Sequence, residues 1–257
     1  MLERLIRRDR ALMSLGLAAI TLLAWIYLVR ETAAMNAMAA DAQMHAAMGM
    51  ADMRMWGASD WFGLFVMWAV MMVAMMLPSA APMILLVLGV YRRRGDDQAR
   101  AAAVMFVAGY LVAWTAFSAA AAALQIGLHR AALVAADMRF RSAALSGAVL
   151  ILAGVYQWLP VKNTCLGHCQ SPLRYLSEHW RDGRRGGLIM GLDHGLFCVG
   201  CCWLLMVLLF VLGVMNLFWV AALAVFVLLE KLAIRGELLT RAAGVAVAVW
   251  GLYLLVK

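Results

Sequence analysis

Residues 188–213 read LIMGLDHGLFCVGCCWLLMVLLFVLG, an apolar run that carries a carboxylate, an imidazole and three thiols. A run of this length and hydrophobicity predicts a membrane-spanning helix. Ionisable side chains inside such a helix are costly, so they usually face a protein interior and have a function. The stretch therefore predicts a polytopic bundle of membrane helices with a chemical site inside it.

The whole chain has the composition of a membrane protein. Of its 257 residues, 66% are hydrophobic and 14% are charged. Soluble domains are nearer half apolar and a quarter charged, so this composition leaves no room for a separate soluble domain. We predict an all-α polytopic bundle of about seven transmembrane helices. The predicted spans are 11–29, 61–90, 101–128, 143–160, 188–213, 216–234 and 239–256.

The positive charge predicts an orientation. The net charge is +8, and basic residues concentrate on the cytoplasmic side of membrane proteins. A cytoplasmic N-terminus places 16 of the 22 lysines and arginines in the cytoplasm, whereas the reverse orientation inverts that ratio. We therefore predict a multi-pass protein of the bacterial inner membrane, surrounded by the lipid bilayer, and no nucleic-acid partner.

The chain divides into two predicted parts. Residues 1–60 form an N-terminal anchor helix, ending near Arg30, and a Met-rich extracytoplasmic loop. Residues 61–257 form a six-helix membrane domain with the Cys/His site. Residues 1–29 also resemble a signal peptide, but their apolar run is longer than usual, which favours an uncleaved anchor.

Cysteine and histidine cluster in the second part. His194, Cys198 and Cys201 are spaced for one helix face, with Cys202 beside them. A second pair, Cys165 and Cys169, follows span four in a cytoplasmic loop. Thiolate and imidazole ligands suit copper, and also zinc or iron, whereas the alternative is that the cysteines simply pack as small apolar side chains. The predicted metal ligands are Cys165, His168, Cys169, His194, Cys198, Cys201 and Cys202.

Two carboxylates are predicted to support this site. Asp193 precedes His194 and is suited to orient the imidazole, as carboxylates commonly do for ligating histidines. Glu230 lies near the cytoplasmic end of span six. It has either a structural role at the interface or a role in completing the surroundings of the metal.

Span two contributes methionines. Met72, Met76 and Met83 bracket the predicted depth of the span-five cysteines, and Pro78 and Pro82 predict a break in the helix there. Thioethers are soft ligands suited to Cu(I). The alternative is that these flexible side chains only fill the core.

A second group of methionines lies in the extracytoplasmic segment 35–55. Seven methionines in this short segment predict capture of a soft cation outside the membrane. The alternative is an amphipathic helix on the membrane surface. The predicted capture residues are Met44, His45, Met48, Met50, Met53 and Met55.

The sequence over roughly 60–255 resembles an uncharacterised bacterial family, described as predicted metal-binding integral membrane proteins. The resemblance implies a multi-helix membrane fold and a metal site, but it supplies no reaction. His168 and the Met-rich segment are features of this chain and not of the resemblance. The matching motifs are Trp68 to Met83, Tyr156-Gln157, Lys162, Cys165, Cys169, Ser171-Pro172-Leu173, Met190-Gly191, His194-Gly195, Cys198 to Trp203, Leu208 to Phe210, Met215 to Leu217 and Glu230-Lys231.

Three functions are compatible with these residues. The first is binding of a soft metal, most simply copper, for relay or insertion into a partner such as a metallochaperone or membrane complex. The second is a membrane thiol–disulfide or metal-dependent oxidoreductase. The third is a non-catalytic subunit or assembly factor. The chain has no nucleotide-binding motif, which argues against a primary pump.

Overall fold

The computed structural model describes residues 2–47, 58–135, 139–233 and 236–257. Within these ranges the chain is helical, with a single isolated β-bridge between Val134 and Phe140 and no strand. The predicted all-α class is therefore confirmed. The helices are α1 (Leu2–Ala47), α2 (Ala58–Arg93), α3 (Ala99–Arg130), α4 (Ala143–Tyr156), α5 (Pro160–Gln170), α6 (Pro172–His179), α7 (Gly183–Val207), α8 (Leu209–Leu212), α9 (Leu217–Leu232) and α10 (Gly236–Val256).

The number of helices able to cross a membrane is smaller than predicted. Among the described residues, five helical segments are long and apolar enough, and α4 with α5 makes a sixth if this pair, bent by 62°, is one span. Helix α9 has only 16 residues. The five segments are Arg7–Met35, Trp61–Arg93, Ala99–Arg130, Gly183–Leu212 and Gly236–Val256.

Helix α1 is longer than predicted. It was expected to end near Arg30, but it continues to Ala47 because alanine and methionine, both good helix formers, dominate the following residues. Near its start, the carboxylate of Asp9 binds the Arg92 guanidinium of α2 at 2.5 Å. Leu15 and Leu23 are about two-thirds exposed, as expected for a helix facing lipid.

Helix α2 runs through both of its prolines, so the predicted break is not observed. The hydroxyl of Ser79 donates a hydrogen bond to the carbonyl of Met76 at 2.8 Å. Side-chain donors of this kind help to satisfy carbonyls around a proline in a membrane helix. As a result, α2 places the hydroxyl of Ser79, a polar group, in the interior of the bundle.

Helices α3 and α7 are held together by a stripe of glycines on α7. Gly187, Gly191 and Gly195 recur every four residues and therefore lie on one face. A Cβ on Gly191 would collide with the backbone of Phe106, and one on Gly195 would lie 2.7 Å from the Cβ of Ala113. Small residues at this spacing allow helix backbones to approach closely in membranes. The close packing fixes the position of the cysteines of α7.

Helices α4 and α10 also pack closely through glycines. A Cβ on Gly147 would lie 2.8 Å from the carbonyl oxygen of Gly251, and one on Gly154 would lie 2.6 Å from that of Gly244. These contacts pair the start of α4 with the end of α10, so the two helices are antiparallel. The end of α4 is thereby held against the start of α10.

The cytoplasmic loop predicted to follow span four is largely helical. Its first part is α5, which carries Cys165 and Cys169, and its second part is α6. Helix α5 packs against α7 in the opposite direction, since Cys165 lies against Gly200 and His168 stacks on Phe197. A Pro at the first position of each helix, Pro160 and Pro172, is compatible with the start of a helix.

Candidate metal centre

Four cysteines from α5 and α7 come together. We refer to Cys169, Cys198, Cys201 and Cys202 as the thiol cluster. The Cys198 thiol lies close enough to interact with the thiols of the other three, and the three cysteines of α7 are 0% exposed. Their spacing on α7 places them on one side of the helix, and the antiparallel packing of α5 brings Cys169 to them.

Two polar side chains complete the surroundings of Cys198. Its sulfur lies 2.9 Å from Nζ of Lys231 and 3.1 Å from the hydroxyl of Tyr110. Lys231 also donates to Ser79 Oγ at 2.9 Å, and Tyr110 donates to the carbonyl of Met76 at 3.1 Å. The cluster is therefore contacted by α3 and α9 as well as by its own helices, and α2 binds both of the contacting side chains.

Sequence reasoning missed the role of Lys231. This lysine is 6% exposed, and its ammonium lies 2.9 Å from the sulfur of Cys198. A signal was present, because a lysine inside an apolar helix needs a polar partner. The identity of that partner, 33 residues away on another helix, does not follow from any local pattern.

Glu230 belongs to a separate buried network. Its carboxylate binds Lys162 at 2.6 Å and accepts a hydrogen bond from Thr240 at 2.5 Å, and Lys162 also donates to Gln157. Lys162 and Glu230 are both 0% exposed. This ion pair ties α5 to α9, while Thr240 adds α10. It fixes the position of the helix that carries Cys169.

His194 lies one helical turn from Cys198. It is 3% exposed, and its ring packs near those of Phe106, Tyr110 and Tyr175 at centroid distances of 5.4–5.9 Å. Its Nδ1 atom is buried without a hydrogen-bond partner among the described residues. An unpaired buried nitrogen is costly and is a feature of functional sites.

Asp193 acts on a neighbouring tyrosine. Burial of the Tyr175 side chain, together with the charge of the half-buried Asp193, raises the pKa of the Tyr175 hydroxyl well above its ordinary value. The hydroxyl therefore remains protonated and donates to the carbonyl of Met190 at 2.7 Å. Asp193 therefore acts on this tyrosine, and its role in orienting the imidazole of His194 stays a prediction.

The remaining predicted ligands are distributed around the cluster. Cys165 lies against Gly200 of α7 and interacts electrostatically with Cys201. The His168 ring stacks on Phe197 at 4.1 Å, among other aromatic rings. Met72, Met76 and Met83 are buried in α2, and the contact from α2 to Tyr110 runs through the Met76 carbonyl.

The predicted capture residues fall largely outside the part of the chain that is described. Met48, Met50, Met53 and Met55 lie outside the described residues. Met44 and His45 belong to α1, but their side chains are also outside what is described. Capture by this segment therefore stays a prediction.

The thiols of the cluster lie close together, but they are not arranged as ligands around a metal ion. Within the described ranges, no three His, Cys, Asp or Glu side chains are arranged to hold a metal ion. The thiols of Cys201 and Cys202 instead donate to the carbonyl of Cys198, at 3.1 and 2.9 Å. Metal binding would require these thiols to lose their protons and rotate toward a shared ion.

The fold and the cluster define an apolar helical bundle with buried thiols beside a buried lysine. A family model described as PpoB2, copper chaperone, matches residues 65–254, and the chain belongs to this family. The resemblance to a metal-related family is thus confirmed. Comparison with curated proteins and with solved structures finds no significant match.

Proposed function

We propose that the protein is an inner-membrane copper chaperone that holds Cu(I) as cargo in the thiol cluster and passes it to a partner. The observation that carries this proposal is the convergence of Cys169 from α5 with three cysteines of α7. The family description, copper chaperone, supports it. Soft thiolates select Cu(I) over hard cations, and zinc or iron are the next candidates.

The charge around the cluster fits this cargo. Cu(I) bound by two thiolates carries a net charge of minus one, and a buried unpaired charge is strongly unfavourable. The ammonium of Lys231, 2.9 Å from the Cys198 sulfur, supplies the opposite charge. Lys231 would therefore neutralise the loaded site. Tyr110, whose hydroxyl lies 3.1 Å from the same sulfur, would turn its proton from the Met76 carbonyl to that sulfur.

Other predicted residues have proposed roles around this centre. Met76 and its neighbours in α2 offer thioethers, and His194 offers a buried nitrogen without a partner. Residues 44–55 would capture copper outside the membrane. Helix α9 and the bent α4–α5 pair would complete seven spans with a cytoplasmic N-terminus. The recipient would be a metallochaperone or a membrane complex.

Anaerobic titration with Cu(I) tests the proposal. The full chain, purified in detergent and reduced, should withhold about one equivalent of Cu(I) from a competing chelator through the cluster. The variant C198S/C201S/C202S should lose that equivalent. Met67→Leu, which removes a buried sulfur nine residues before Met76, should keep it.

Two results would contradict the proposal that the thiol cluster holds Cu(I). If the wild type and the triple cysteine variant withhold the same amount of copper, the thiol cluster is not the cargo site. Isolation of the protein with a disulfide between Cys169 and a cysteine of α7, and with no copper affinity after reduction, would instead favour thiol–disulfide chemistry.

A further inference from the structure

Two histidines, one from α5 and one from α6, form a cluster of their own. His168 of α5 and His179 of α6 have ring centroids 6.0 Å apart, and we refer to them as the histidine pair. His168 stacks on Phe197 at 4.1 Å, and His179 stacks on Tyr175 at 4.8 Å. Both imidazoles are therefore held in place by aromatic rings.

The hydrogen bonds of the histidine pair leave the same nitrogen available on each ring. Nδ1 of His168 lies 2.8 Å from the carbonyl oxygen of Thr164, and Nδ1 of His179 lies 3.2 Å from that of Tyr175. A carbonyl only accepts, so each Nδ1 must donate. In the neutral ring, Nε2 then carries a free lone pair, which is the arrangement found in metal-binding histidines.

The separation and surroundings suit a small cation. An ion bound linearly between two imidazole nitrogens holds the ring centres about 6 Å apart, since each metal–nitrogen bond is about 2 Å. Beside His168 lies a polar cavity of about 320 Å³, lined by Asn163, Thr164, Ser171, Arg174 and Glu178. The Glu178 carboxylate pairs with Arg174 at 2.9 Å and also interacts electrostatically with both histidines.

Contacts between aromatic side chains link the histidine pair to the residues around the thiol cluster. Tyr175, which stacks on His179, lies 5.4 Å from the ring of His194. His194 precedes Cys198 by one helical turn, and Phe197 lies under His168. The ring of His194 is therefore near both the tyrosine that stacks on the histidine pair and the first thiol of the cluster.

We propose that the histidine pair is a second, two-coordinate Cu(I) site, through which copper is exchanged between the polar cavity and the buried thiol cluster. The inference rests on the proposed function, because it assigns the route to the same cargo site. It requires no change in oxidation state, since the copper ion exchanges two nitrogen ligands for two sulfur ligands. The two thiols that bind it lose their protons, and the vacated imidazole nitrogens can accept them.

The test compares H168Q/H179Q with the wild type and with H129Q, which removes an imidazole at the far end of α3. Full-length protein in detergent is titrated anaerobically with Cu(I) against a competing chelator. Loading of the cysteines is followed by thiolate-to-copper charge-transfer absorption. H168Q/H179Q should bind about one equivalent less and load its cysteines at least about tenfold more slowly. H129Q should match the wild type.

Two further arms separate this inference from the proposed function. The variant C198S/C201S/C202S should retain one equivalent, with nitrogen and no sulfur scattering at the copper absorption edge. Unchanged stoichiometry and loading rate in H168Q/H179Q would overturn the histidine site while leaving the thiol site intact. Loss of copper by H168Q/H179Q alone, with no effect of the cysteine changes, would overturn the thiol site instead.

Discussion

At the scale of single residues, the most important feature of the thiol cluster is the ammonium of Lys231, which the sequence analysis did not predict to lie there. Lys231 reaches from α9 to Cys198 and Ser79, and it is almost fully buried. Buried ammonium groups are stable only when opposite charge or strong acceptors surround them. Its position beside the Cys198 sulfur would make it the counter-ion of the proposed Cu(I)–thiolate centre.

Lys231→Met should weaken Cu(I) binding. The loaded centre would then bury a net negative charge without a partner, so the Cu(I) dissociation constant should rise by at least about tenfold, or about 1.4 kcal/mol. Competition against a chelator of known affinity measures this. Lys257→Met, at the exposed end of α10, is the matched control and should bind as the wild type does. Equal affinity in the two variants would show that Lys231 is not the counter-ion.

At the scale of helices, glycine spacing and one buried ion pair position the cysteines. The spacing of Gly187, Gly191 and Gly195 is visible in the sequence, and it is a known signal for close helix packing in membranes. The helical state of α5 is harder to predict, because its composition is polar for a membrane segment and therefore resembles a loop. Its order comes from tertiary contacts with α7 and α9.

Gly191→Ala should destabilise the bundle. The added Cβ would meet the backbone of Phe106 on α3, which cannot move aside as a flexible side chain would. Overpacking of this kind costs about 1–3 kcal/mol, so the thermal unfolding midpoint in detergent should fall. Gly127→Ala is the control, because a Cβ there has no neighbour within 4 Å and alanine favours the helix. A midpoint equal to that of Gly127→Ala would contradict the packing argument.

Glu230→Gln should loosen α5. The change leaves the buried Lys162 without its ionic partner, which costs about 3–5 kcal/mol. The double variant Lys162→Met/Glu230→Met should recover much of the loss, because it removes both charges. Glu178→Gln breaks the exposed pair with Arg174 and should change stability little. Chemical or thermal unfolding measures all three, and similar effects of Glu230→Gln and Glu178→Gln would refute a structural role for the buried pair.

At the scale of the whole molecule, the long apolar runs predicted the helical class and the positions of most helices. The hydrophobicity of a segment depends on local sequence, so α2, α3, α7 and α10 could be located from it. The convergence of α5 with α7 and the contact from α9 depend on tertiary packing. Cysteine and histidine therefore identified the candidate residues, but not which of them meet: Cys169 joins the α7 thiols, whereas His168 pairs with His179.

The orientation of the whole chain gives a further prediction. The proposed topology has a cytoplasmic N-terminus, as the basic residues predict, and seven crossings, which would place Lys257 outside the cytoplasm. Alkaline phosphatase, which needs disulfides to fold, should be active when fused after Lys257 and inactive when fused after Arg94. Activity after Arg94 and none after Lys257 would show that the chain has the reverse orientation in the membrane. Activity at neither position would indicate an even number of crossings with both sites in the cytoplasm.

X-ray absorption at the copper edge tests the central claim most directly. The reduced full-length protein, loaded anaerobically with a single equivalent of Cu(I), should show scattering from sulfur ligands at low coordination number. This sulfur signal should disappear in C198S/C201S/C202S. A wild-type spectrum with only nitrogen or oxygen ligands, unchanged in that variant, would contradict the assignment of the thiol cluster as the cargo site.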